Sequence, residues 1–343
     1  MNKKNLLLLA VVLSAPEALA DAAAPCLQRA LTQAEDQLTI GEIRLRCEED
    51  PGSFPTAAEQ SRETDQNKKT VKAEPIDVDR KRKLEFLAAE NPYGISPHRR
   101  NYMMPLTYNR RPNGAPFGVA DRALDQGEIK FQFSYKVPLM QEIMNRPIDL
   151  LFAYTNQSYW QAFNGSTSRP FRETNHEPEL FLTWTDPWMP PGVEHAQYSV
   201  GLSHHSNGRS GELSRSWNRL FVSSLLQHEN YYLGLKLWDR IKDDPKEFPG
   251  DPRGDDNPDI EKFYGHFELE LSRVKEHRSF SVMLRNNLRS GDNLGAIQLG
   301  YSFPLSKTLR GYMEYFEGYG ESLIDYNHDV QRFGIGIAIS DWP

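Results

Sequence analysis

Residues 129–137 read Ile129-Lys130-Phe131-Gln132-Phe133-Ser134-Tyr135-Lys136-Val137. Every odd position is apolar and every even position polar. A β-strand sends successive side chains to opposite faces, so this stretch sets one face against an apolar phase and the other against polar partners. The same period returns in Phe267-Glu268-Leu269-Glu270-Leu271, in Ile297-Gln298-Leu299-Gly300-Tyr301-Ser302-Phe303 and in Phe333-Gly334-Ile335-Gly336-Ile337-Ala338-Ile339. About twelve such runs can be placed, at roughly 102–109, 128–138, 149–160, 178–186, 196–206, 216–227, 230–239, 262–274, 278–288, 294–304, 308–318 and 330–341. No helix-period segment long enough to cover such a sheet lies among them.

Outward from these runs, the 343 residues carry 40 Lys+Arg against 47 Asp+Glu, with 11% aromatics and two cysteines. The sole long apolar run, Leu6 to Leu13, is too short to cross a bilayer as a helix, which excludes a bundle of membrane helices. A membrane β-barrel is not excluded, because its strands need only alternate. The slightly acidic balance gives no reason to expect a nucleic-acid partner.

Residues 1–20 read as an export signal: Lys3 and Lys4, then Leu6 to Val12, then Ala18-Leu19-Ala20 before Asp21. In an exported chain, Cys26 and Cys47 are most simply a disulfide, with two separate thiols as the alternative. Residues 21–92 are charged and poor in aromatics, and Pro51, Pro55 and Pro75 punctuate mixed charges. This region reads as a periplasmic N-terminal extension and linker. Residues 93–343 then form the strand-rich domain.

A soluble sandwich binding apolar ligands would alternate too. The export signal, the length of the strands and the aromatics near strand ends (Tyr159, Trp160, Trp184, Trp238, Tyr301, Tyr312, Trp342) favour a barrel in the outer membrane, with those rings as an interfacial girdle. Closure also removes the unpaired strand edges that lipid cannot solvate. The expected fold is all-β, a twelve-stranded antiparallel transmembrane barrel.

The chemistry concentrates in one hairpin. Tyr198, Val200 and Leu202 are the apolar face of its first strand, and His204 and Ser206 continue that face. In the second strand Leu220, Val222 and Leu226 are apolar, and Asn218 shares their parity. Three polar groups are thus aimed at lipid, where polar groups cost free energy unless they act together or lie near the interface. A serine hydroxyl becomes a nucleophile when an imidazole accepts its proton and a third group fixes the imidazole. Asn218 is expected within reach of His204, and a substrate arriving through the bilayer is a lipid ester. His205, of opposite parity, is assigned to the interior with no catalytic role. The blander reading is a turn at Asn207-Gly208 beside an interfacial histidine.

The run 204–210, His-His-Ser-Asn-Gly-Arg-Ser, and the run 214–219, Ser-Arg-Ser-Trp-Asn-Arg, resemble the signature of outer membrane phospholipase A. So do residues 172–178 (Arg-Glu-Thr-Asn-His-Glu-Pro), 255–260 (Asp-Asp-Asn-Pro-Asp-Ile) and 318–327 (Gly-Tyr-Gly-Glu-Ser-Leu-Ile-Asp-Tyr-Asn). The resemblance implies an outer-membrane enzyme that hydrolyses acyl esters of phospholipids and lysophospholipids, requires calcium and is active as a homodimer. It implies Ser206 as nucleophile, His204 as general base and Asn218 as the residue orienting that base. It further implies calcium held by the Arg209 carbonyl, Ser214 and Asp256, with Ser168 supplied by the second subunit. Hydroxyl, carbonyl and carboxylate oxygens suit that ion. Two positions depart from the family pattern: Asn156 stands where a glutamine is usual on the dimer face, and Trp342-Pro343 replace a terminal Phe. The competing reading is an inert barrel serving as a pore, adhesin or assembly protein.

Overall fold

The computed structural model describes residues 95–185, 190–248, 251, 253–306 and 309–341. The expected signal at 1–20, the whole 21–92 extension with its Cys26–Cys47 pair, and Trp342 lie outside the described residues. Twelve barrel strands follow one another in chain order: β1 Asn101–Asn109, β2 Gly127–Met140, β3 Ile148–Trp160, β4 Phe171–Thr185, β5 His195–Ser206 and β6 Ser216–His228. Then come β7 Tyr231–Ile241, a short helix α1 Ile260–Tyr264, β8 Phe267–Lys275, β9 Arg278–Asn286, β10 Gly295–Pro304, β11 Arg310–Gly318 and β12 Val330–Ser340. Each strand pairs antiparallel with its chain neighbours, and β12 returns to pair with β1, so the sheet closes on itself. A two-residue bridge at Ser96–Pro97 adds to β2.

The alternation sorts side chains as expected. Phe133 and Tyr135 face outward and stay exposed, whereas Lys130 and Ser134, of the opposite parity, are buried inside. Leu202, Leu220 and Val222 are about half exposed on the exterior, an area that lipid covers. Two strand boundaries differ from the sequence expectation. β4 starts at Phe171 rather than near 178, because its inward positions Glu173, Asn175, Glu177 and Glu179 find partners inside while its outward face becomes aliphatic only from Leu180. The first residues of the expected 262–274 strand belong to α1, which opens after Pro258-Asp259 and buries Ile260 and Tyr264.

The girdle assignment also needs correction. Tyr159, Tyr312 and Trp238 are buried, on the inward parity of their strands. Tyr159 donates to the Glu321 carbonyl at 2.7 Å, and Trp238 donates to that of Gly265 at 3.0 Å. Trp160 and Trp184 do face outward, stacked with Phe171 and packed near Tyr198 respectively.

Side chains crowd the lumen but leave a cavity of about 350 Å³, bordered by Glu177, Glu179, Arg219 and Lys236. Trp217, Trp238, Phe221, Phe181, Tyr264 and Leu323 cluster inside, and the Arg219 guanidinium lies 4.4 Å from the Trp217 ring centre. Above them a chain of charges crosses the barrel: Arg172 bonds Glu128 at 2.6 Å and Asp325 at 2.5 Å, Arg332 bonds Glu128 and Glu321 at 2.8 Å, and Lys130 bonds Glu314 at 2.6 Å. Charges this deeply removed from water are tolerable only when paired on all sides. The loop of residues 319–329 supplies Glu321 and Asp325 and buries Leu323 and Ile324, closing that end. Burial tends to raise the Glu321 carboxyl, but the Arg332 and Lys130 charges outweigh it and hold the group below its ordinary range.

Candidate active site

The β5–β6 register decides the site. His204 is directly opposite Asn218, and Ser206 directly opposite Ser216. On the other side, Ser206 is opposite His176 of β4. Directly opposed residues in an antiparallel pair hold their Cβ atoms about 5 Å apart. His204 Nδ1 bonds Asn218 Oδ1 at 2.8 Å, on the exposed outer face of the barrel. Ser206 lies two residues further along that face, at the rim where β5 ends. Sequence parity thus placed all three groups together. His205 points inward, as expected, and accepts from Trp217 Nε1 at 3.3 Å.

The turn after Ser206 is held by Asn207, which is buried. Its amide donates to the Leu213 carbonyl at 2.9 Å, and its side-chain oxygen accepts from Arg215 N at 3.0 Å and Arg209 N at 3.3 Å. Its own backbone N–H goes to the Arg215 carbonyl at 3.0 Å. Gly208 takes φ 63°, a left-handed conformation that costs a residue bearing Cβ about 1–2 kcal/mol. Of the three amides at 207–209, Asn207 and Arg209 are engaged, and among the described residues none accepts from that of Gly208. Sequence reasoning read Asn207 only as a turn residue. Its role as a staple arises from contacts that no local pattern encodes.

The oxygen-rich side of the site lies across the 207–215 loop. Ser214 Oγ donates to Asp256 Oδ2 at 2.6 Å, and Ser216 Oγ donates to the same oxygen at 3.2 Å. Of the other acidic residues nearby, Asp255 is taken by Arg240 at 2.5 Å and Asp259 by Tyr326 at 2.7 Å. Among the described acidic residues, Asp256 is the one that accepts from the hairpin serines. The Arg209 guanidinium turns away to Glu173 and to the Arg172 carbonyl, at 3.3 and 2.6 Å. Ser168 is exposed in the β3–β4 connection with φ 58°, and among the described residues no contact brings it to Asp256. Asn156 is engaged within the chain: it accepts from Ser158 Oγ at 3.2 Å and lies 3.3 Å from His176 Nδ1, to which the Tyr154 hydroxyl also bonds at 2.6 Å.

A family model described as Phospholipase A1 matches residues 78–339. The chain belongs to the phospholipase A1 family. It is accordingly a phospholipase, an enzyme built on an outer-membrane β-barrel, which sets aside the inert-barrel and soluble-sandwich readings. The phospholipase is 35% identical over 254 residues to Phospholipase A1 of Klebsiella pneumoniae, covering 74% of this chain and 84% of that protein. It is equally 35% identical to Phospholipase A1 of Escherichia coli K12, covering 83% of that protein. Among solved structures, outer membrane phospholipase A from Escherichia coli superposes with a TM-score of 0.66 at 34% identity, over 73% of this chain and 99% of that one. The outer membrane phospholipase of Salmonella typhi, solved as a dimer with bound calcium, gives the same score and identity over 73% and 94%.

Proposed function

We propose that this phospholipase hydrolyses the acyl ester bonds of phospholipids and lysophospholipids at either acyl position, with Ser206 as nucleophile, His204 as general base and Asn218 fixing the base. The observation that carries the assignment is the 2.8 Å bond between His204 and Asn218 on the lipid-facing surface, with Ser206 next along the same face. An amide oxygen only accepts, so His204 carries its proton on Nδ1 and leaves the Nε2 lone pair free for Ser206. As Ser206 Oγ forms its bond to the acyl carbon, Nε2 takes the hydroxyl proton. The tetrahedral intermediate then expels the lysolipid oxygen, which receives that proton from His204. Water, deprotonated by the same nitrogen, attacks the acyl-serine; the bond to Ser206 Oγ breaks, Oγ takes the proton back from His204, and the fatty acid leaves. With its neighbours' amides engaged, that of Gly208 is the donor assigned to the oxyanion.

The oxygen donors beside the hairpin fit a hard divalent cation: the Ser214 hydroxyl and the Asp256 carboxylate converge within 2.6 Å. Calcium would be held there by these two groups, by the Arg209 carbonyl and by the partner subunit's Ser168, and the enzyme would be active as a homodimer. The Salmonella typhi relative, a dimer with calcium, supports that reading. When bound, the ion supplies positive charge beside the developing oxyanion. Residues 1–20 and 21–92 complete the proposal as export signal and periplasmic extension.

Fatty-acid release from mixed micelles by refolded enzyme is the test. Release is expected with calcium, to be abolished by chelator and by Ser206→Ala. Full activity of Ser206→Ala would overturn the nucleophile, and unchanged turnover after exhaustive chelation would remove the metal.

A further inference from the structure

The described residues between β7 and α1 form a folded unit around Asp251, which is buried. The Asp251 carboxylate accepts from Arg253 N at 2.9 Å and Glu247 N at 3.4 Å, and Asp255 N donates to the Asp244 carbonyl at 2.8 Å. Gly254, at φ 88°, lets the two sides of the unit approach closely: a Cβ there would lie 2.9 Å from the Asp244 carbonyl oxygen and 3.0 Å from Lys246 Cα. These contacts fix where Lys246 stands. Its ammonium donates to the Asp251 carbonyl at 2.9 Å and forms an ion pair with Asp256 Oδ1 at 2.6 Å. The other Asp256 oxygen takes the hydroxyls of Ser214 and Ser216. Both oxygens of the carboxylate that accepts from the hairpin serines are therefore occupied by groups of the chain itself.

We propose that Lys246 is a tethered cation that competes with the divalent ion for Asp256 and so sets the calcium concentration at which the site fills. The proposal rests on the reading of Asp256 as a calcium ligand. Calcium lies about 2.3–2.6 Å from its oxygens, so an ammonium 2.6 Å from Oδ1 stands where an ion coordinated by that oxygen would. Two cations on one carboxylate also repel each other. The flexible four-carbon stem lets the ammonium swing aside while the Asp251-centred fold keeps it close, ready to return. The site thus has an internal competitor at fixed, high effective concentration.

Calcium titration of the full-length refolded protein in detergent, by calorimetry and by the calcium-induced rise in unfolding temperature, tests this without reference to activity. Lys246→Gln and Lys246→Met are to be compared with wild type and with Asp256→Asn, and heat-modifiable migration in gels verifies each barrel. Both lysine variants are expected to bind calcium about tenfold more tightly or better, for loss of one adjacent positive charge. Unchanged or weaker binding by the folded lysine variants, with Asp256→Asn losing affinity, overturns the role of Lys246 alone. If Asp256→Asn binds calcium as wild type does, the Asp256 reading fails and the Lys246 proposal with it.

Discussion

At the scale of single residues, the site rests on what each atom can donate or accept. His204 has one nitrogen engaged by an amide oxygen, and the proposed mechanism uses the other for proton transfer, an arrangement that needs no buried carboxylate at a lipid-facing surface. His204→Ala should therefore lower kcat by about 10²–10⁴-fold, the usual worth of a positioned base. Asn218→Ala should cost less, since an unfixed imidazole still samples the productive orientation, and Asn218→Asp less again because it keeps an acceptor. Initial rates of fatty-acid release from mixed micelles check the order. Asn218→Ala at wild-type rate would show that the 2.8 Å bond has no part in positioning the base.

At the scale of elements, the site is the rim of one hairpin, and its precision comes from the loop that joins β5 to β6. Asn207 ties that loop to itself and reaches Glu173 at 3.4 Å, whose other oxygen accepts from Ile324 N at 3.1 Å in the loop that closes the barrel end. Asn207→Ala removes these side-chain bonds and leaves part-buried backbone groups to water or unpaired, at a cost of about 1 kcal/mol. Activity should fall at least tenfold while the barrel stays closed and heat-modifiable, because the twelve-strand ladder does not depend on the turn. Wild-type turnover by this variant would mean the turn is held by its backbone alone. The hairpin also shows what the sequence could and could not reveal. Period-two parity sufficed to bring His204, Ser206 and Asn218 to one face and to turn His205 inward, since a strand has no other way to direct its side chains. The assignment of Asp256 needed the family resemblance, because an acidic loop has no period, and only the folded contacts separate it from Asp255 and Asp259. Lys246 gave no local signal and Asn207 only that of a turn, because their partners lie on segments that composition cannot relate. The hidden start of β4 has the same origin, for its inward glutamates look like loop residues until Arg219 and Lys236 are seen to meet them.

At the scale of the whole molecule, a barrel is only as stable as its closure, and the closing pair β12–β1 joins strands from opposite ends of the domain. Asp341, immediately after β12, clamps that seam. It accepts from Arg100 Nε at 2.8 Å just before β1 and from Ser279 Oγ at 2.7 Å on β9, and Arg310 of β11 stands 3.1 Å away. Burial by itself would raise the Asp341 carboxyl, but Arg100, with help from Ser279 and Arg310, outweighs it and brings the group from 3.8 to about 2. A carboxyl whose folded pKa is depressed stabilises the fold above its unfolded pKa, and that stabilisation is lost as pH falls through the folded value. The contribution amounts to about 2 kcal/mol at neutral pH and disappears between about pH 4 and pH 2. Asp341→Asn should therefore lower the unfolding temperature at pH 7, and the gap to wild type should narrow as the pH is taken from about 4 to 2. Other buried carboxylates, Glu321 among them, also titrate in acid, but they do so in both proteins and cancel in the difference. Thermal unfolding of the two proteins in detergent across that range measures the gap directly. A gap that stays constant with pH would assign the effect to lost hydrogen-bond geometry rather than to the charge that fastens the seam.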